Sequence, residues 1–504
     1  MTQMDYEAWL RDPASELPAP CLPEGRRNYL TPDRETDPAR LYCGAGGLAA
    51  TLAQMEPVAA QLVRESRLAE ALPGSMPAGY TFLAQLLAHE LSAKTQGGDL
   101  SNDPPEPEPV SVRRNGLMLD SIFGPLDHHR PVPGLFRFRR SVADPGRPIA
   151  VDLRWQADRA DIFDARNGDT PMLAQMSALF ILLHHRTQAA LDGRMGEGQA
   201  RRLARCVAAA AFQRILRHDL LPRLLLPVVS THVMAQGWTP ADSEALRPDA
   251  RFPVEVSNAA FRFGHALVRS TYLLNDRSPA LPIGDLTRGF NGLERVRASN
   301  SNFWRVDWRL FFGQGPGVQM SRRLRASLPP DLEKAPARLA TGHATPGNGR
   351  GRDELALKDL ARCVGGGVQK VAALADRLAP RLRTVAGMTG WALWDAEERA
   401  ALLRDWLDAQ PGEEPAHLLA DPPLYLYLLI EAGAEHTQKG FGDGRTLGAL
   451  GSILVAEAVV PRLRQGEALV AAEPSMALAE TAVFGAVPPP ATMPELVEFL
   501  TSTD

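Results

Sequence analysis

The chain has 504 residues, room for one large domain or two to three ordinary ones, and 45% of them are hydrophobic, enough for a sizeable core. A net charge of -4 gives no reason to expect a nucleic-acid partner. Four well-separated cysteines (Cys21, Cys43, Cys206 and Cys363) form no metal-ligand spacing and read as free thiols in a reducing compartment. The first ten residues lack a basic-then-apolar signal pattern, and no apolar run reaches membrane length, so a cytoplasmic protein without a membrane span is expected. Aromatics are sparse at 6%, while leucine, alanine and arginine dominate, which favours a mainly α-helical chain with few or no strands.

Residues 1–75 open with a proline-rich arm, Leu17 to Pro32, and continue as an amphipathic helix from about Gly47 to Ala71. The arm reads as a segment that wraps the core without chemistry of its own. From Met76 to Leu91 the chain is apolar and helical apart from Gln85 and His89. These two are four residues apart and share one face, so each needs a partner there or carries a desolvation penalty. A shared functional partner and a simple Gln–His hydrogen bond explain the pair equally well. Residues 96–112 are loop by composition, and Asp120 or Ser121 caps a short helix after Arg113. Residues 125–160 are irregular and punctuated by prolines, a composition that usually wraps a site.

Asp164-Ala-Arg166-Asn-Gly-Asp169-Thr-Pro leads into a long helix over Met172–Gln188, capped by Asp169 or Thr170. Arg166 stands just before the helix N-terminus, where a cation opposes the macrodipole, and this suggests that it faces an anion. Another helical pattern runs from Arg201 to Val229. Ser257 to Val268 reads as a buried helix with Arg262 and His265 on one face, and Gly264 beside them would let a flat group approach the backbone. A lone histidine there is more often a core residue than a ligand. Phe303 to Phe312 forms an aromatic cluster, and residues 330–352 form a surface loop rich in Gly, Pro, Ala and Thr. Glu354 to Arg362 starts a helix with Asp359 and Arg362 on one face. Gly365 to Gly367 follow without the Lys-Ser/Thr that a phosphate-cradling loop requires. Two further core helices carry Glu431 and Glu457, and no internal repeat is present.

In this order the motifs resemble the animal-type haem peroxidase superfamily (the peroxidase–cyclooxygenase group), particularly its bacterial branch, from about Pro77 to the C-terminus. The sharpest points are Gly79 to His89, Asp164 to Asp169 and Asn258 to His265. His218 to Pro222, Asp307 to Phe312, Leu355 to Arg362 and the helix ending at Glu457 support them. The resemblance implies one mainly α-helical catalytic domain over residues 76–504 that holds a haem b. His265 would be the proximal iron ligand and Asp359 the acceptor of its Nδ1 hydrogen bond. Arg262 and Arg362 would meet the haem propionates. His89 and Arg166 would form the distal pair, with Gln85 beside them. The implied activity is reduction of hydrogen peroxide by a small electron donor or organic substrate through a ferryl intermediate. A haem-binding protein with little turnover and a biosynthetic haem oxygenase are the alternatives.

Departures from the family pattern carry expectations too. Ala88 replaces the aspartate that forms a haem ester in halide-oxidising members, Asp169 stands at the second ester position, and Thr170 replaces the sulfonium-forming methionine. With an anionic Asp359 behind His265, a low reduction potential and poor chloride oxidation are expected. Arg262 occupies the position of the radical-forming tyrosine of fatty-acid oxygenases. The family calcium site looks lost, because Arg114 and Met118 offer no side-chain oxygen. Arg114 is expected to pair with Glu90, and also with Asp120.

Overall fold

The computed structural model describes residues 47–64, 73–92, 116–125, 131–138, 150–156, 159–235, 253–288, 303–329, 332, 355–365, 368–384, 394–407, 416–420, 422–436, 441–442 and 444–502. The proline-rich arm, Arg114 and nearly all of the 330–352 segment lie outside the described residues. The described chain is mainly α-helical, as its composition predicts, and strands occur in short two-stranded antiparallel ladders. The helices that position the site are α1 (Gly47–Arg64), α2 (Gly79–Leu91), α3 (Asp120–Phe123), α4 (Pro171–Ala190) and α5 (Glu197–Ile215). After them come α6 (Gly264–Leu267), α7 (Leu355–Gly365), α8 (Leu424–Gly433) and α9 (Ala449–Ala471). No described helix is long and apolar enough to cross a membrane.

Helix α4 is the axis of the core, buried all round from Pro171 to His184, as a helix without a polar face must be. It packs against α5 and α2, and α5 in turn packs against α9. Its start is well specified. The Thr170 hydroxyl accepts from the Leu173 amide at 3.2 Å and Pro171 takes the first position, so Thr170 and not Asp169 is the cap. Asp169 instead closes the 3-10 turn Ala165–Gly168 that precedes it.

Helix α2 begins later than the sequence suggests. Pro73–Pro77 pairs with Met320–Arg322 as an antiparallel ladder, so the helix starts at Gly79. Glycine is required there, since a side chain would run into the Phe312 ring and the Phe311 carbonyl. Two of the supporting motifs brace this helix. The Tyr80 hydroxyl donates to Asp219 at 2.8 Å in the π-turn Leu216–Leu220. Phe312 meets Tyr80 edge-on at 5.1 Å and stacks on Trp308 at 5.6 Å.

The Ser257–Val268 stretch is not one continuous helix. It forms a 3-10 turn over Ala260–Phe263 and then the single turn α6, with breaks at Ala259 (φ -126°, ψ -68°) and at the extended Val268. Arg262 in the 3-10 turn and His265 in α6 nevertheless line one space. Residues 125–160 are also more regular than expected, with Leu135–Arg137 paired to Val151–Leu153.

Near the exit of α4, His184 is 1% exposed and packs against the Phe123 ring. Burial, then the neighbouring His185, lowers its pKa to about 3, and its Nδ1 has no hydrogen-bond partner. The unfolded chain therefore takes up a proton near the ordinary value of 6.5 that the folded chain refuses. Stability falls as pH drops below that value, by ~2 kcal/mol between about pH 7.5 and about pH 5. In His184→Leu the acid-induced fall in Tm shrinks. An undiminished fall in that variant would place the titration elsewhere.

Candidate active site

A cleft partly open to solvent is lined by α2, by the Ala260–Phe263 turn with α6, and by Arg166 and Thr170 before and at the head of α4. Gln85, His89, Arg166, Arg262 and His265 all line it, among apolar walls that include Phe82, Leu87, Phe261 and Val268. Residues from three separate sequence motifs thus face one space. Asp169 is not among the lining residues, while its neighbour Thr170 is.

His89 projects from the last turn of α2 and is 9% exposed. Its Nδ1 lies 2.9 Å from Asn167 Oδ1. The Asn167 amide in turn donates to the Ser121 carbonyl at 3.2 Å, which turns Oδ1 toward the histidine. An amide oxygen only accepts, so Nδ1 carries the proton and Nε2 carries the lone pair. Asn167 sits inside a motif that the sequence singles out, yet nothing in the motif marks it as functional. Its one signal is a polar residue in a tight turn leading into a fully apolar helix. Gln85 takes no part in this, making no side-chain hydrogen bond among the described residues. The simple Gln–His pair is therefore not what the fold builds.

Arg166 lies in the Ala165–Gly168 turn, where the Asp164 side chain caps its amide at 3.1 Å. The guanidinium meets both oxygens of that carboxylate, Nε to Oδ1 at 3.0 Å and Nη2 to Oδ2 at 2.7 Å. Nη2 also donates to the carbonyls of Ser92 and His89, the latter at 3.4 Å. Burial alone would lower the Arg166 pKa, but Asp164 and then Asp169 raise it above the ordinary value. The anion expected from its position is thus Asp164 in the first instance. Nη1 makes no hydrogen bond among the described residues.

Across the cleft lining, His265 Nδ1 lies 2.6 Å from Asp359 Oδ2, and Asp359 is completely buried on α7. Arg262 Nη1 is 3.7 Å from the other carboxylate oxygen, and its Nε is buried without a hydrogen-bond partner. Tyr425 of α8 belongs to the same neighbourhood. Burial, then the Asp359 charge, holds its phenol well above the ordinary pKa, and the buried hydroxyl has no partner. Arg362 is on α7, one turn beyond Asp359, but its side chain lies outside what the structure describes.

Arg114, expected to pair with Glu90 in the loop before α3, lies outside the described residues. Among the described residues Glu90 meets no guanidinium; it accepts from the backbone amides of Asp120 at 2.6 Å and Ser121 at 2.8 Å. The cation beside Asp120 is Arg205 of α5, 2.6 Å from Oδ1. These two amides give the buried Glu90 carboxylate hydrogen-bond partners within the core.

No protein-family model matches the chain, and no curated protein does either. Among solved structures, peroxidase A from Dictyostelium discoideum is similar at 14% identity over 86% of this chain and 86% of that one, with a TM-score of 0.48. A fatty acid alpha-dioxygenase from Oryza sativa is similar at 13% identity over 85% of this chain and 75% of that one, with a TM-score of 0.49. For a fatty acid alpha-dioxygenase from Arabidopsis thaliana the identity is 15%, the coverage 69% and 55%, and the TM-score 0.44.

Proposed function

We propose that the chain binds haem b in this cleft and reduces hydrogen peroxide with a small electron donor. One observation carries the reading: His89 and His265, from distant parts of the sequence, line the same cleft, each with Nδ1 held by a side-chain oxygen. With Nδ1 donating on both rings, Nε2 is in each the nitrogen without a proton. On His265, a carboxylate behind the ring makes Nε2 a strong ligand for iron. On His89, with a neutral amide behind the ring, Nε2 is a base.

The surroundings suit a porphyrin. A Cβ built on Gly264, next to His265, would meet nothing within 4 Å, so there is room for a flat group against that backbone. Arg262 offers a buried, unsatisfied Nε to an acidic substituent, and Arg362 is the second cation that the family resemblance assigns to that task. Ala88 offers no carboxylate for an ester, and Asp169 lies outside the cleft lining, which together support non-covalent retention. Haem, when bound, supplies the iron and the electrons that cleave the O–O bond. His89 would hold at Nε2 the proton that must pass between the two oxygens of hydrogen peroxide. Arg166, fixed by Asp164 at the cleft wall, would supply positive charge toward negative charge developing there.

Titrating the full chain with haemin tests the proposal. Saturation at one equivalent with a sharp Soret band is expected, followed by a shift of that band on adding one equivalent of peroxide and its return with a reductant. No saturable uptake would remove the cofactor, and uptake with a peroxide-indifferent spectrum would leave a binding protein only.

A further inference from the structure

The turn that leads into α3 holds two leucines in the left-handed region, Leu117 (φ 52°) and Leu119 (φ 58°). Side chains other than glycine stay there only when the surroundings enforce it. Three buried side chains do so. Gln213 donates to the carbonyls of Gly116 at 3.3 Å and Leu117 at 3.2 Å. Arg205 donates to the Met118 carbonyl from both Nε and Nη2 at 3.2 Å, to the Pro125 carbonyl at 3.3 Å, and to Asp120 Oδ1 at 2.6 Å. Glu90, next to His89 on α2, takes the amides of Asp120 and Ser121.

Helix α3, which this turn leads into, presents the Ser121 carbonyl to the Asp164–Asn167 segment. That oxygen accepts from the Asp164 amide at 2.9 Å and from Asn167 Nδ2 at 3.2 Å. Asp164 grips Arg166, and Asn167 sets the tautomer of His89. Both distal side chains therefore hang from one backbone oxygen, and the guanidinium of Arg205 is the largest single set of bonds holding that stretch. Its planar fork suits the task in a way a lysine cannot match, because it reaches two carbonyls and a carboxylate at fixed angles.

We infer that Arg205 is a positioning residue for His89 and Arg166: it fixes the Met118–Ser121 backbone, and the Ser121 carbonyl then orients the Asn167 amide and with it the His89 ring. The importance of this for turnover rests on the proposed peroxidase reading; the positioning itself does not.

The test uses the full chain labelled with 15N-histidine, with the His89 resonances assigned by their loss in His89→Gln. In the wild type, the Nδ1 and Nε2 shifts are those of a single Nδ1-protonated tautomer. In Arg205→Met the two shifts move toward each other as the Nε2-protonated form becomes populated, and Arg205→Lys lies between. Should Arg205→Met fail to fold, Arg205→Lys and Asp120→Asn are read instead, and both are expected to move the shifts in the same direction. Folded variants whose His89 shifts equal those of the wild type would overturn the inference and leave Arg205 as a packing residue. A wild type that shows the tautomer coupling but no reaction with peroxide would instead overturn the functional reading and leave the positioning role standing.

Discussion

On the proposed peroxidase function, replacing His89 with leucine is expected to lower the second-order rate constant for hydrogen peroxide by about 10²–10⁴-fold, the usual contribution of a placed acid–base group. Haem uptake stays intact, because His89 belongs to α2 and not to the Asp359-backed histidine. The size of the loss follows from what must be replaced: a proton has to leave one peroxide oxygen and reach the other within the lifetime of the bound substrate. Without the imidazole only water serves. Asn167→Leu separates the presence of the imidazole from its orientation and tautomer, since it keeps the ring but removes the acceptor at 2.9 Å from Nδ1. That variant loses part of the rate by spreading the ring over both tautomers. Stopped-flow rates at saturating haem measure both effects. A His89→Leu enzyme as fast as the wild type would mean that the proton moves by another route, and the assignment of His89 would fall.

Much of this site is legible in the sequence, and the reason is physical. His89 and His265 are polar groups in largely apolar stretches, so the residue pattern by itself demands an explanation for their burial, and Arg166 stands before a helix N-terminus, where a cation needs an anion. Asp359 is legible only as one face of an amphipathic helix, and its partner cannot be read without the fold. Asn167 escapes notice because a polar residue in a turn has an ordinary explanation. Arg205 escapes for a related reason: with Arg201 and Arg202 nearby it reads as one of a solvated group, yet Arg205 is 8% exposed while the other two lie on the exposed side. Left-handed leucines leave no mark in a sequence at all, since glycine or asparagine is what such backbone normally announces. The break at Ala259 is hidden differently. One 3-10 turn followed by one α-turn repeats its apolar positions much as a short helix does, so periodicity alone cannot separate them. The cap of α4 is narrowed by the sequence to two adjacent residues, and the side-chain oxygen that reaches the Leu173 amide decides between them.

Asp359→Asn is expected to raise the Fe(III)/Fe(II) reduction potential and to weaken haem retention by about 10–100-fold, as losses behind a metal-binding histidine do. The sign comes from the charge. A carboxylate 2.6 Å from Nδ1 pulls the ring proton toward itself, which enriches Nε2 in electron density and, with the proposed haem bound, would favour the higher iron charge. An amide oxygen in the same place accepts the hydrogen bond but carries no net charge, so the ferric state loses that support. Arg262 modulates the same carboxylate from 3.7 Å, and a cation there drains some of its influence. Arg262→Gln should therefore shift the potential downward, opposite in sign to Asp359→Asn. In the double variant the Arg262 effect should shrink, because the charge it acted on has gone. This non-additivity is the signature of direct coupling between the two side chains. Spectroelectrochemical titration of the four proteins reads all three quantities at once. A potential in Asp359→Asn at or below that of the wild type would mean that Asp359 does not govern the His265 ring, however close the two atoms lie. Equal Arg262→Gln shifts with and without the carboxylate would place the guanidinium's influence on the porphyrin edge alone.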